Sequence, residues 1–307
     1  MNKTQSKHLD LYSRVTQSIV DQLERGVLPW EPAHLGGQYA PRNLVSQTPY
    51  RGINALMLGA MALPNPWFVT YKQAQELGGQ VKKGEKGHLV VKYGVHKPKE
   101  GEDKADMPHQ RRGFLKAYTV FHASTQTEGL AIPTLPEEHP NYSPSQKSDL
   151  VERVVQDMPN PPGIQEGATS LPCYRPDSDR VEMPHRRTFL SEDAYYKTLF
   201  HELGHATGHQ SRLARPSLIK GEGYLAASDE KKKHYCLEEL VAETSSAFSC
   251  ARLGIFEKEN EWDSAAYIGG WLQALKAKEN KNWVLQAASQ GQKATDYILK
   301  SANIRTG

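Results

Sequence analysis

The stretch that most constrains this chain is Phe200-His201-Glu202-Leu203-Gly204-His205. On an α-helix, histidines four residues apart are offset by about 40° and about 6 Å of rise, so both rings can reach one metal ion. A glutamate directly after the first histidine sits about 100° round the helix, close to water at that ion without ligating it. Two imidazole ligands with a carboxylate general base are the arrangement of zinc peptidases. The surroundings are helical. Ser191, Glu192 and Asp193 read as an N-cap with acidic residues in the first turn. Apolar side chains then recur at Tyr195, Tyr196, Leu199, Phe200, Leu203 and Ala206, one buried face. Two solvated or core histidines on an ordinary helix are the alternative.

A catalytic zinc takes three protein ligands and keeps one position open. In the metzincin solution a third histidine follows the second after a midway glycine. Here Gly208 fits, but the histidine position is Ser211, and His209 lies about 80° from His201. The other solution is a glutamate from a second helix, and Leu237-Glu238-Glu239-Leu240-Val241-Ala242-Glu243 offers one. On a helical projection Leu237, Leu240, Val241, Thr244 and Phe248 form the core stripe. Glu239 and Glu243 lie together beside it, among Cys236, Ala247 and Cys250, while Glu238 projects to the opposite flank. Carboxylates among small, half-buried side chains require a positive partner. Glu239 is therefore the expected third ligand, and Glu243 the acceptor that orients a histidine ring. A solvated acidic face is the alternative. Tyr235, one turn before Glu239, is the expected oxyanion donor, with Tyr224 and His234 as rivals.

At 307 residues the chain is long enough for two domains with cores of their own. The net charge of +3 conceals an asymmetry: residues 1–135 carry 17 Lys+Arg against 11 Asp+Glu, and the remainder 21 against 24. The first half is thus the candidate for a polyanionic partner. The N-terminus is polar, and the longest apolar run, Ile53 to Leu63, is too short to span a bilayer, so no membrane partner is expected. Three cysteines without C-x-x-C spacing read as reduced thiols of a cytoplasmic protein.

The first half begins with an amphipathic helix through Leu9, Tyr12, Val15, Ile19 and Leu23, ended by Gly26. Further helices are expected over Ile53–Ala62 and Lys72–Leu77, and strands over Trp67–Tyr71, His88–Tyr93 and Phe114–Phe121. Val81 to Gly87 reads as a basic turn, and Lys97 to Arg112 as a hairpin loop. Thr134 to Ser148, rich in proline and polar residues, reads as a linker, with 136–148 as its span. Beyond it the pattern gives a strand near Asp179–Met183, a polar excursion over Arg212–Lys233, and closing helices over Asp263–Lys278 and Asn280–Ser301. Both halves are of the α+β class. Aromatic rings beside lysine and arginine suit single-stranded nucleic acid, the rings stacking on bases and the cations following phosphates. Arg51, Asn54, Trp67, Lys82, Lys83 and Lys86 are the candidate contacts, although a ring in such a pattern more often belongs to a core.

Longer runs of residues carry a resemblance. Arg14-Val15-Thr16 to Gly26, Pro29-Trp30, Tyr50-Arg51-Gly52-Ile53-Asn54, Trp67, Thr70 and Val81-Lys82-Lys83-Gly84-Glu85-Lys86 resemble the N-terminal domain of the ArdC antirestriction family. Tyr195-Tyr196 to Gly208, Arg212-Leu213, Tyr235, Glu238 to Glu243 and Tyr267-Ile268-Gly269-Gly270-Trp271-Leu272 resemble its zincin-like metallopeptidase domain. The resemblance implies a single-stranded-DNA-binding domain over 1–135 and a metallopeptidase domain over 149–307. It implies zinc, or another divalent ion such as Mn2+, at His201, His205 and Glu239, with Glu202 as base. The implied function is antirestriction during conjugative plasmid transfer, and the implied protein substrate is DNA-bound or part of a restriction system. Two other readings stay open: a DNA-coating protein whose metal site is structural or vestigial, and a general DNA-tethered protease.

Overall fold

The computed structural model describes residues 10–30, 40–61, 63–95, 113–134, 143–221, 229–256, 264–277 and 280–301. The Asp10 carboxylate accepts from the Ser13 amide at 2.9 Å and opens α1 (Leu11–Leu23). Its expected face is buried at Val15, Ile19 and Leu23, and Gly26 turns the chain out of the helix at φ 75°. Then follow β1 (Arg42–Asn43), α2 (Ile53–Gly59), β2 (Trp67–Val69) and α3 (Tyr71–Glu76). Thr70 and Gln73 start α3 with a reciprocal capping box. Short β3 (Gln80–Val81) leads to β4 (His88–Val95), β5 (Gly113–His122) and β6 (Thr127–Glu128). A four-stranded sheet runs β1-β2-β5-β4, parallel only between β1 and β2, and β3 pairs with β6 beside it. The expected loop over Lys97–Arg112 lies outside the described residues.

His122, at the end of β5, is fully buried. Its Nε2 donates to the Asn65 carbonyl, and its Nδ1 accepts from the Thr125 hydroxyl, each at 2.8 Å. Burial pushes its pKa below the ordinary 6.5, and His88 in the neighbouring strand is lowered by burial as well. The unfolded chain therefore takes up protons near 6.5 that the folded chain refuses, and stability falls as pH drops below that value. His122→Gln should flatten this part of a melting-temperature profile against pH. A profile that the substitution leaves unchanged would reject His122 as its source.

The second half opens earlier than the linker expectation allows. Ser143 caps α4 (Pro144–Gln156) through Gln146, so residues 144–148 are helical, and 135–142 lie outside the described residues. A three-stranded sheet follows in the order β7-β9-β8, from β7 (Gly163–Glu166), β8 (Cys173–Arg175) and β9 (Arg180–Met183). Next come α5 (Glu192–Ala206), α6 (Pro216–Gly221), α7 (Asp229–Leu253), α8 (Ser264–Lys276) and α9 (Trp283–Ile298). The excursion expected over Arg212–Lys233 thus contains α6 and the first turn of α7. Both halves are mixed α+β. All three cysteines are without disulfide partners, and no described helix is long and apolar enough to cross a membrane.

One hydrophobic cluster joins the two halves. Val15, Ile19 and Leu23 of α1 and Ile53 and Leu56 of α2 pack with Leu240 and Phe248 of α7, Trp271 of α8 and Val284 of α9. Trp30 meets Trp271 edge to face, with ring centroids 6.1 Å apart. Polar contacts fasten the same seam: Thr16 Oγ1 donates to the Lys281 carbonyl at 2.6 Å, and the Gly52 amide to Gln292 Oε1 at 3.2 Å. A second cluster, built from α4, β8, β9, α5, α7 and α9, supports the other side of α5.

Candidate metal centre

Helices α5 and α7 build the centre between them. Ser191 caps α5 as expected, accepting from the Ala194 amide at 3.0 Å. The apolar face at Tyr196, Leu199, Phe200 and Leu203 is buried in the second cluster, which fixes the rotation of the helix. His201 and His205 then share the side that meets α7, with their Nε2 atoms 3.2 Å apart. From α7, Glu239 places Oε2 3.4 Å from His201 Nε2 and Oε1 3.5 Å from His205 Nε2. A Cβ on Gly204 would meet Ala242 Cα at 3.0 Å, so a larger residue would force the helices apart.

Ligands held at about 2.0–2.2 Å by a tetrahedral ion stand about 3.3–3.6 Å from one another. Each of the three separations is close to that edge length, with Glu239 turning a different oxygen to each ring. Two imidazole nitrogens and one carboxylate oxygen fit a divalent ion, and among the described residues this is the group able to hold one.

A carboxylate stands behind each ring. Glu243 Oε1 lies 3.4 Å from His201 Nδ1, and Glu238 Oε1 lies 3.5 Å from His205 Nδ1. The second contact is long, and the buried Nδ1 of His205 makes no hydrogen bond. Glu238 is itself held by Arg215, whose Nε donates to Oε2 at 3.1 Å and whose second nitrogen pairs with Oε1. Ser217 Oγ donates to the same carboxylate at 2.6 Å. Arg215 also donates to Thr207 Oγ1 at 2.5 Å and to the carbonyls of Gly204 and His205, capping the C-terminus of α5. Gly208 leaves room for this guanidinium, because a Cβ there would stand 2.8 Å from it.

Imidazole and carboxylate groups face one another closely here. Burial pushes both rings toward the neutral form, yet Glu239 and Glu243 raise His201 well above its ordinary value, and Glu239 and Glu238 raise His205. Burial pushes Glu239 up, and the two rings overcome it and hold the carboxyl at about 2. Burial likewise raises Glu238, and Arg215 outweighs it. A divalent cation replaces the protons these rings would otherwise hold. Glu202, 6% exposed, follows His201 on α5. The Tyr235 side chain also helps to hold the Glu239 carboxyl low. His209 is turned away to Ser211 Oγ at 2.7 Å, and Tyr224 lies outside the described residues.

Comparison with known proteins extends the picture to the whole chain. Residues 9–121 match the N-terminal domain of anti-restriction factor ArdC, and residues 160–290 match a zincin-like metallopeptidase domain. Antirestriction protein ArdC of plasmid R388 has been solved metal-free and with Mn(II). The two structures are 34% and 33% identical to this chain with TM-scores of 0.69 and 0.72, covering 96% and 97% of it and 98% and 100% of theirs. The chain belongs to the ArdC antirestriction family. Protein y4eC of Sinorhizobium fredii is 34% identical over 97% of this chain and 94% of its own length. DNA primase TraC of Escherichia coli is 34% identical over 93% of this chain, which spans 19% of the primase. The ArdC relationship and the donor set agree on a divalent ion, zinc by domain type and manganese in the solved relative.

The ArdC N-terminal match contains the residues read as DNA contacts, and the structure separates them. Trp67 is buried, with Nε1 donating to the Pro133 carbonyl at 3.2 Å, so its ring is core. Asn54 bridges the Val91 amide and carbonyl at 2.8 Å each, fixing α2 to β4. Arg51 pairs with Asp296 on α9. Trp67 and Asn54 are taken up by the fold, contrary to the sequence reading, whereas Arg51 stays exposed beside Asp296. Lys82, Lys83 and Lys86 are exposed on the β3–β4 turn, with Lys82 Nζ 2.9 Å from the Thr125 carbonyl. Sequence reasoning missed Glu238 and Arg215. Glu238 is buried between helices, and nothing in its neighbourhood in sequence announces a partner from before α6.

Proposed function

We propose that this chain is a cytoplasmic antirestriction factor of conjugative plasmid transfer, in which residues 1–135 hold single-stranded DNA and the second half carries a zinc-dependent peptidase site. The carrying observation is the convergence of His201, His205 and Glu239 beside Glu202, inside a chain similar to ArdC over nearly its full length. A divalent ion bound by those three residues supplies Lewis-acid activation of water and of the scissile carbonyl. Glu202 takes a proton from the attacking water and returns it to the leaving amine. Glu243 accepts from His201 Nδ1 and keeps Nε2 turned to the centre. Tyr235, at the edge of the same cluster, donates to the oxygen that gains charge. The substrate is a protein carried on the DNA or belonging to a restriction system, and the likeness to part of a DNA primase favours a DNA-handling setting.

A second reading keeps the DNA binding and makes the ion a brace. Its ligands come from two helices, so an ion there cross-links α5 to α7 whether or not hydrolysis follows. The deciding experiment transfers a plasmid by conjugation into a restricting host, with wild type and Glu202→Ala supplied at equal levels. Loss of protection in the variant, with metal content and DNA affinity retained, supports the peptidase. Full protection by the variant transfers the function to DNA coating, and no protection by wild type rejects the antirestriction role.

A further inference from the structure

Strands β4 and β5 form a two-stranded hairpin whose outer end leaves the core. Their register sets Lys92 opposite Lys116, Gly94 opposite Phe114 and Val90 opposite Tyr118. Cross-strand partners and alternate residues share a face, so Phe114, Lys116, Tyr118 and Lys92 stand on one side of the sheet. Val90 and Val120 on the same side are buried, and the surface opens beyond them. Phe114 and Tyr118 are each 39% exposed, and the Phe114 ring lies across Gly94, where a Cβ would stand 2.4 Å from it. Lys116 Nζ sits 5.3 Å from the Tyr118 ring centroid.

The lysine pair is the informative feature. Like charges directly opposite in a ladder destabilise it. None of the ion pairs found among the described residues includes Lys92 or Lys116. A sheet face that alternates aromatic, cation and aromatic, with a second cation opposite the first, is matched to a ligand with flat faces and regular negative charge. Phe114 and Tyr118 are four residues apart, about 14 Å along the strand, with the Lys92–Lys116 pair at the register position between them. That spacing separates two stacked bases and sets the intervening phosphates over the lysines.

We infer that this outer face of the β4–β5 hairpin is the base-stacking platform for single-stranded DNA, with Phe114 and Tyr118 as the rings and Lys92 and Lys116 as the phosphate contacts. The inference rests on the DNA-binding reading of the first half. It places the contact away from Trp67 and Asn54, on side chains with solvent-facing surface. Duplex DNA offers no base faces to such a platform, so the duplex binds more weakly than the single strand.

The test uses the full chain and fluorescein-labelled oligothymidylate, followed by anisotropy over a salt series. Phe114→Ala with Tyr118→Ala should weaken binding by about tenfold or more, with the salt dependence unchanged. Lys92→Ala with Lys116→Ala should lower the slope of log affinity against log salt by about 1.4, at about 0.7 per phosphate. The same lysine variant should melt no lower than wild type, because it removes a like-charge pair. Tyr93→Ala, an exposed ring on the opposite face, is the control and should bind as wild type does. Wild-type affinity in the Phe114/Tyr118 variant, or an equal loss in Tyr93→Ala, overturns the platform while DNA binding itself stands. Unchanged DNA affinity with a dimer becoming a monomer would make the face a protein interface and overturn it too. No binding by wild type at low salt removes the DNA reading itself.

Discussion

Arg215→Ala should destabilise the chain by about 3–5 kcal/mol, because it leaves the buried Glu238 carboxylate without its cation. Arg215 is 2% exposed and Glu238 is 2% exposed, so water cannot replace the lost partner. The same change uncovers Thr207 Oγ1 and the last carbonyls of α5, the helix that carries His201 and His205. Thermal unfolding of the metal-free variant should show a fall on the order of 10 °C. Arg215→Lys retains the charge but not the forked geometry, and should recover only part of the loss. Replacing both partners, as in Arg215→Met with Glu238→Leu, removes the isolated charge and should cost less than Arg215→Ala alone. A single variant within about 1 kcal/mol of wild type would show that the pair is not needed to hold α5 on α7.

That pair also marks where the sequence stops being informative. The helix of His201 was readable because its cap, its acidic first turn and its apolar stripe all lie within fifteen residues. Glu239 and Glu243 were readable because their flank on α7 is otherwise small and half-buried. Glu238 was placed on a polar flank by a projection that treats one helix at a time, and Arg215 enters from a turn beyond α5. The start of α4 was masked by composition: Pro144 and its polar neighbours read as linker, although Ser143, Pro144 and Gln146 form an N-terminal capping signal. Strands β7 and β8, four and three residues long, are too short to show alternation. Trp67 was read as a DNA contact because composition cannot tell a ring in a core from a ring on a surface, and Asn54 because its two bonds to Val91 cross between elements distant in sequence. The joined core of α1, α2, α7, α8 and α9 was invisible for a related reason. An amphipathic stripe states that a face is buried, and not against what.

Glu239→Ala should abolish metal retention, the second large effect. Glu239 is the carboxylate that faces both Nε2 atoms, at 3.4 and 3.5 Å, and without it the centre is reduced to two imidazoles. A catalytic zinc site uses three protein ligands, so the residual pair holds the ion too weakly to survive dialysis. Glu243→Ala keeps all three ligands and loses only the support behind His201. Its affinity should fall by about 10–100-fold. Glu238→Ala is expected to resemble Glu243→Ala in metal affinity but to melt lower, since it frees Arg215 inside the protein. The pH dependence follows from the same charges. The Glu239 carboxyl, held at about 2, is ionised throughout the working range, whereas both rings are raised and must release protons to ligate. Wild-type affinity should therefore fall as pH is lowered, with proton release detectable on binding in weakly buffered solution. Metal content of the three purified variants and isothermal titration with zinc provide the measurement. Stoichiometric metal in Glu239→Ala alongside its loss in Glu238→Ala would exchange the roles of the two glutamates and overturn the ligand assignment.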